Sequence, residues 1–161
     1  MTPEEAERFE EGLRITAARL RGNAAEEQRL LEAAVERDEM PRLVEGFVYV
    51  ALTASEMIAQ AKAVPLQEIL RGLSPRPEVI LIPEVTVGSW DDVIDLASAV
   101  KRSHVEARQL AHSMDVPGAV NVSFQLAISA LTAMSRVPQF RHMSPAQIAE
   151  MFIEGVEAGH A

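Results

Sequence analysis

His104, Arg108 and His112 are the side chains whose types and spacing come closest to a chemical site. In a helix they occupy positions i, i+4 and i+8, which lie along one side of the cylinder. A zinc-binding pair of histidines is typically three or four residues apart, whereas these two lie at i and i+8, with a guanidinium group between them that repels a cation. The spacing therefore favours a polar stripe beside the core over a metal site.

The remaining residues that could do chemistry form no motif. Glu45, Glu56 and Glu68 are isolated acids on apolar segments, and we expect them to reach water or to pair with Arg. The chain has no Cys, no glycine-rich phosphate loop and no Gly-x-Ser-x-Gly elbow. The sequence therefore predicts no catalytic residue, no metal and no cofactor, and it argues against an enzyme.

Composition indicates one acidic globular domain, residues 1–161. The chain has 161 residues, of which 48% are apolar and 24% charged, enough to bury a core without disulfides or metal. A net charge of −9 makes nucleic acid an unexpected partner, because phosphate contacts need clustered Lys and Arg. The acidic start resembles no secretory signal, so we expect the cytoplasm. Arg supplies 13 of the 15 basic residues and Ala is abundant, which is typical of a GC-rich bacterial or phage coding sequence.

Apolar spacing and capping residues predict a mainly α fold, a helical bundle of about six to seven helices. We expect residues 1–40 to form a charged N-terminal helical hairpin, with 12 acidic and 7 basic side chains before residue 46; its first helix is capped by Thr2 and stopped by Gly22. Residues 41–73 form a helical pair broken at Val64-Pro65, and residues 89–161 form the C-terminal helices. One long helix is expected from Ser89 to Met114.

The segment from Pro117 to Ser135 carries no charge and is nearly long enough to span a bilayer. Its six polar residues are too many for lipid, so it predicts a buried helix and no membrane contact. A chain of this size has few layers with which to surround such a helix, so we expect a second subunit to cover it, in a homodimer. The interface candidates on this helix are Val120, Phe124, Ala127, Leu131 and Met134.

Residues 78–88 are the only extended, β-like signal, an apolar arm near residues 79–87 with a proline inside it. Such an arm either crosses its own core or packs on a partner subunit. The interface candidates here are Val79, Ile80, Leu81, Ile82, Val85, Val87 and Trp90.

These features favour a non-enzymatic protein that acts through protein–protein contacts, as an adaptor, assembly or regulatory factor, with an unidentified protein partner. An alternative is a small-molecule-binding or enzymatic helical domain, whose apolar pocket would be lined by Met residues, Phe47, Phe124 and Tyr49. A third is a DNA-binding regulator, with residues 55–73 as a helix-turn-helix.

Overall fold

A computed structural model describes residues 2–37, 40–85 and 87–159, apart from the side chain of His104. This part of the chain is mainly helical, as predicted, with eight α-helices and one short 3-10 helix, Pro138–Phe140. The helices are α1 (Pro3–Leu20), α2 (Ala24–Glu36), α3 (Met40–Lys62), α4 (Leu66–Gly72), α5 (Trp90–Arg102), α6 (His104–Ser113), α7 (Val116–Ser135) and α8 (Pro145–Gly159).

The expected count of six to seven helices is not confirmed, because the predicted helix from Ser89 to Met114 is two helices. Ser103 lies between them in an extended conformation, with φ −162° and ψ 122°. Its hydroxyl accepts the N–H of Glu106 and so caps α6. A serine that serves as an N-cap competes with helix propagation, which the apolar periodicity of the segment does not reveal.

Local capping fixes the start of α1, as the sequence predicts. The Thr2 hydroxyl accepts the N–H of Glu5, and the Glu5 carboxylate accepts the N–H of Thr2. Gly22 follows the helix with φ +72°, a conformation that glycine adopts at little cost. The Asn23 side chain then accepts the N–H of Glu26 and begins α2.

Two glycines bring the backbones of α1 and α3 into direct contact. A Cβ atom at Gly12 would lie 2.6 Å from the backbone carbon of Gly46, and a Cβ at Gly46 would collide with the Arg8 carbonyl oxygen. Neither position accommodates a larger residue without a shift of one helix. This contact sets the separation of α1 and α3.

Helix α7 is the centre of the fold and packs mainly against α3. Alone among the described helices it has the length and hydropathy of a membrane span, and 78% of its most apolar 18-residue stretch is buried inside the fold. The prediction of a buried helix is confirmed. All five interface candidates on α7 are 0% exposed within the single chain, so their burial needs no second subunit; they are Val120, Phe124, Ala127, Leu131 and Met134.

The segment between α4 and α5 lies along α7, and the expected β-like arm is not confirmed. Its described residues form turns and bends, with no strand among them. Leu81 and Ile82 donate their N–H groups to the Asn121 side-chain oxygen, at 3.0 and 2.7 Å. The Asn121 amide donates in return to the carbonyls of Ile82, at 3.0 Å, and Val85, at 3.5 Å. A buried side chain therefore satisfies backbone groups that a strand would pair with another strand.

Further contacts hold both ends and the middle of this segment. The Ser129 hydroxyl donates to the Ser74 carbonyl at 2.8 Å, and the Gly88 N–H donates to the Gly118 carbonyl at 3.0 Å. Arg19 of α1 donates to the Ile80 carbonyl at 2.8 Å. The same guanidinium pairs with Glu27 of α2 and lies 5.1 Å from the centre of the Phe124 ring. These contacts attach the segment to the chain's own core.

The glycine contact predicts a large difference between two glycine-to-alanine variants. Gly12→Ala should lower the free energy of unfolding by about 2 to 3 kcal/mol, because the methyl group forces α1 and α3 apart. Gly155→Ala, in the middle of α8 with open space around it, should raise it by about 0.5 to 1 kcal/mol. Urea unfolding of both variants measures the difference, and equal effects would contradict the contact.

The hydrogen bonds of Asn121 predict that the two buried amides of α7, Asn121 and Gln125, contribute differently to the free energy of unfolding. Asn121→Leu should cost about 2 to 4 kcal/mol, because it leaves the N–H groups of Leu81 and Ile82 without acceptors. Gln125→Met should be neutral or stabilising, since the Gln125 amide nitrogen is buried without a partner in the described structure. Urea denaturation of the two variants checks this, and a Gln125→Met loss as large as that of Asn121→Leu would refute it.

Candidate binding cleft

A cleft of about 470 Å³ lies between α1, α3, α5, α6 and the start of α7. Its volume is within the range of small-molecule sites. It is lined by Thr2, Glu4, Glu5, Arg8, Pro41, Val44, Glu45, Val48, Tyr49, Leu96, Val100, Ala107, Arg108, Ala111, His112, Met114, Val116 and Ala119.

The base of the cleft is apolar and belongs to the core. Val44 and Val48 of α3 are 5% and 1% exposed, and Leu96 of α5 is 3% exposed. Val100 and Met114, which are half-buried, extend this surface toward the opening. A ligand that covers these side chains removes apolar surface from water, which is the main source of affinity for small molecules.

Tyr49, the only tyrosine of the chain, lies at one end of the cleft. Its hydroxyl has no hydrogen-bond partner among the described residues. Partial burial raises the pKa of Tyr49 above its ordinary value, and the carboxylates of Glu5 and Glu45 raise the pKa further, against an opposing effect of Arg8. Arg8 forms an ion pair with Glu45, so the charge of that acid is compensated.

Helix α6 forms the opposite wall and contributes Ala107, Arg108, Ala111 and His112. Among its described side chains only Ala107 is buried. Arg108 and His112 are exposed, and neither forms an ion pair within the described residues. The polar stripe predicted from the histidine spacing therefore includes two residues that face the cleft, whereas the His104 side chain lies outside the described structure.

A smaller cleft of about 340 Å³ adjoins the first and shares Glu5, Tyr49 and Val100 with it. Its far side holds an ion pair between Glu56 and Lys101. The isolated acids Glu45, Glu56 and Glu68 were expected to reach water or to pair with Arg, and this is confirmed except that Glu56 pairs with a lysine. Glu45 pairs with Arg8, Glu56 pairs with Lys101, and Glu68 is exposed.

Only part of the pocket predicted from the sequence is found at the cleft. Tyr49 and Met114 line it, but Phe47 and Phe124 pack against each other in the core, with ring centroids 5.2 Å apart and ring planes tilted by 58°. None of the twelve interface candidates lines it. Among the candidates on the 79–87 segment and at Trp90, Leu81 is 4% exposed and the others are partly buried, namely Val79, Ile80, Ile82, Val85, Val87 and Trp90.

The charged lining was missed because its members come from distant parts of the sequence. In the sequence, Glu4 and Glu5 have the positions of acids at a helix start, and Arg108 that of a solvated residue on an amphipathic helix.

Within the described part of the chain, no three His, Asp or Glu side chains are placed to hold a metal ion. The chain matches no protein-family model, no curated protein and no solved structure.

The surroundings of Tyr49 predict an elevated phenol pKa. Titration of its ultraviolet absorbance should give a midpoint above the ordinary value of about 10. Glu5→Gln should lower that midpoint, because one of the two carboxylates that disfavour the phenolate is removed. Glu84→Gln, an exposed acid on the 79–87 segment, is the matched control and should leave it unchanged. A midpoint at or below the ordinary value would exclude this environment.

Proposed function

We propose that this protein binds a small, uncharged amphipathic molecule in the cleft between α1, α3, α5 and α6. The observation that carries the proposal is the cleft itself, in which an apolar base and an unpartnered tyrosine hydroxyl face the same space. Of the functions that the sequence leaves open, small-molecule binding is the one that this geometry supports best.

The apolar base supports a ligand with a hydrocarbon body. Side chains from α3, α5 and α7 meet there, and Val44, Val48 and Leu96 are held in place by the core behind them. Because these residues come from rigid helices, the surface is formed before a ligand arrives, and binding costs little reorganisation.

The charges around the cleft support an uncharged ligand. Three carboxylates, those of Glu4, Glu5 and Glu45, face two guanidinium groups, those of Arg8 and Arg108. Among these carboxylates and guanidinium groups, three negative and two positive charges leave a balance of −1, which favours neither a strong anion nor a dication. An ionic ligand would also lose hydration over the apolar base, whose side chains carry no charge.

Tyr49 supplies the polar contact in this proposal. Its hydroxyl can donate to or accept from an alcohol or amide group, and it lies beside the apolar base. One such hydrogen bond fixes the orientation of the ligand, while the hydrocarbon contacts supply most of the affinity.

The proposal predicts a preference among three probes that share one chain: octanol, octanoate and octylamine. Octanol should shift the ring resonances of isotope-labelled Tyr49 in a saturable way, with an affinity at least about tenfold higher than that of either ion. The reason is that either ion loses hydration over the apolar base, whose side chains Val44, Val48 and Leu96 carry no charge. Since the chain has a single tyrosine, the signal comes from this one side chain, where the two clefts adjoin.

Two variants of α6 separate cleft binding from surface binding. Ala111→Phe places a ring into the cleft and should abolish the octanol effect, whereas Val105→Phe alters a side chain that is 65% exposed and does not line the cleft. Val105→Phe should therefore bind like the parent protein. Equal binding by both variants, or no saturable shift with any probe, would refute the proposal.

The hypothesis of a homodimer that acts through protein–protein contacts stays a prediction, and it has less support than small-molecule binding. In the described residues, the large apolar side chains with high exposure are Val35 and Val105, on α2 and α6. They do not combine with the candidates on α7, which are interior.

A further inference from the structure

Helix α6 makes few buried contacts with the rest of the fold, and Leu110 and Ala111 are only partly buried where they pack against the core. It packs chiefly against α5, and Ala107, at 9% exposure, is its one buried residue among the side chains that the structure describes. A helix with so few buried contacts has a low free energy of local opening. Its neighbour α7, by contrast, is buried over most of its length.

Both ends of α6 are extended joints. Ser103 has φ −162° and ψ 122°, and Met114 has φ −86° and ψ 148°. The contact described across the first joint is an exposed ion pair between Arg102 and Glu106, a type of interaction that contributes little to stability. Rotation at two such joints moves the short helix away from the fold, and a helix of 10 residues without that support opens its internal hydrogen bonds readily, so that its amides exchange.

Opposite charges face each other across the cleft without forming an ion pair. Arg108 projects from α6, and Glu4 and Glu5 project from the first turn of α1. None of the three forms an ion pair with a described residue, and Glu5 accepts only the N–H of Thr2. Charges of opposite sign that border one cleft attract each other, and the attraction grows as water leaves the space between them.

We propose that α6 is a movable wall, which closes over the cleft when Arg108 approaches the carboxylates of Glu4 and Glu5. Closure brings Arg108 and His112 toward α1 and encloses the apolar base on its open side. The closing motion belongs to the ligand-free chain, so it does not depend on the ligand proposed above. If that ligand binds, closure also excludes water from it.

Hydrogen exchange of the ligand-free protein tests the first part of the proposal. Backbone amides in the middle of α6 should exchange at least about 100-fold faster than those of α5 and α7, at denaturant concentrations where the protein stays folded. If the amides of α6 exchange as slowly as those of α5, the helix is a fixed wall and the proposal is wrong.

Charge reversal tests the second part. Arg108→Glu should speed α6 exchange about two- to fivefold, the ratio expected for loss of an exposed ion pair, and Glu4→Arg should do the same. The double variant should restore the parent rate, because the pair is re-formed with opposite sign. Glu4 is preferred to Glu5 here because Glu5 also completes the cap of α1.

Arg141→Glu is the control, since it makes the same charge change at an exposed residue outside the cleft. It should leave α6 exchange unchanged. Absence of rescue in the double variant, or an equal effect of Arg141→Glu, would show that Arg108 does not pair with α1 and would overturn the proposed closure. Since no ligand is present, failure here is distinguishable from failure of octanol binding.

Discussion

The arrangement of the helices depends on the hydrogen bonds that the Asn121 side chain forms with the backbone of Leu81 and Ile82. Helices α5 and α6 follow a segment that lacks regular structure, and this segment is placed by the amide of one buried residue on α7. Because Asn121 satisfies the N–H groups of Leu81 and Ile82, Leu81 is buried and Ile82 partly buried at low cost. Once it is attached, α5 packs against α3 and α7, and α6 faces α1 across the cleft.

Much of the helical structure could be predicted from short-range features of the sequence. The cap at Thr2, the stop at Gly22 and the break at Val64-Pro65 each act over a few residues, and each lies where the sequence places it. The division at Ser103 was missed because an N-cap serine and a serine within a helix look alike in an apolar pattern. The uncharged segment from Pro117 to Ser135 coincides with α7 except at Val116, since proline is tolerated in a first turn.

Long-range contacts could not be predicted, and they decide the roles of the two most apolar segments. The bonds of Asn121 join residues 36 to 40 positions apart, and nothing local marks the residue as a partner of the 79–87 segment. The low charge of α7 predicts a second subunit, and this stays a prediction, while the chain's own helices bury the apolar side chains of α7. The cleft likewise combines the first turn of α1 with α6, about a hundred residues later.

The central claim is that the cleft accommodates the hydrocarbon part of a neutral ligand against side chains of α3 and α5. Nuclear Overhauser effects between octanol and the protein methyl groups test it most directly. The account predicts effects from the octanol chain to the methyl groups of Val48 and Val100, which line the cleft. Effects only to the exposed methyl groups of Val35 and Val105, or none at saturating octanol, would contradict it.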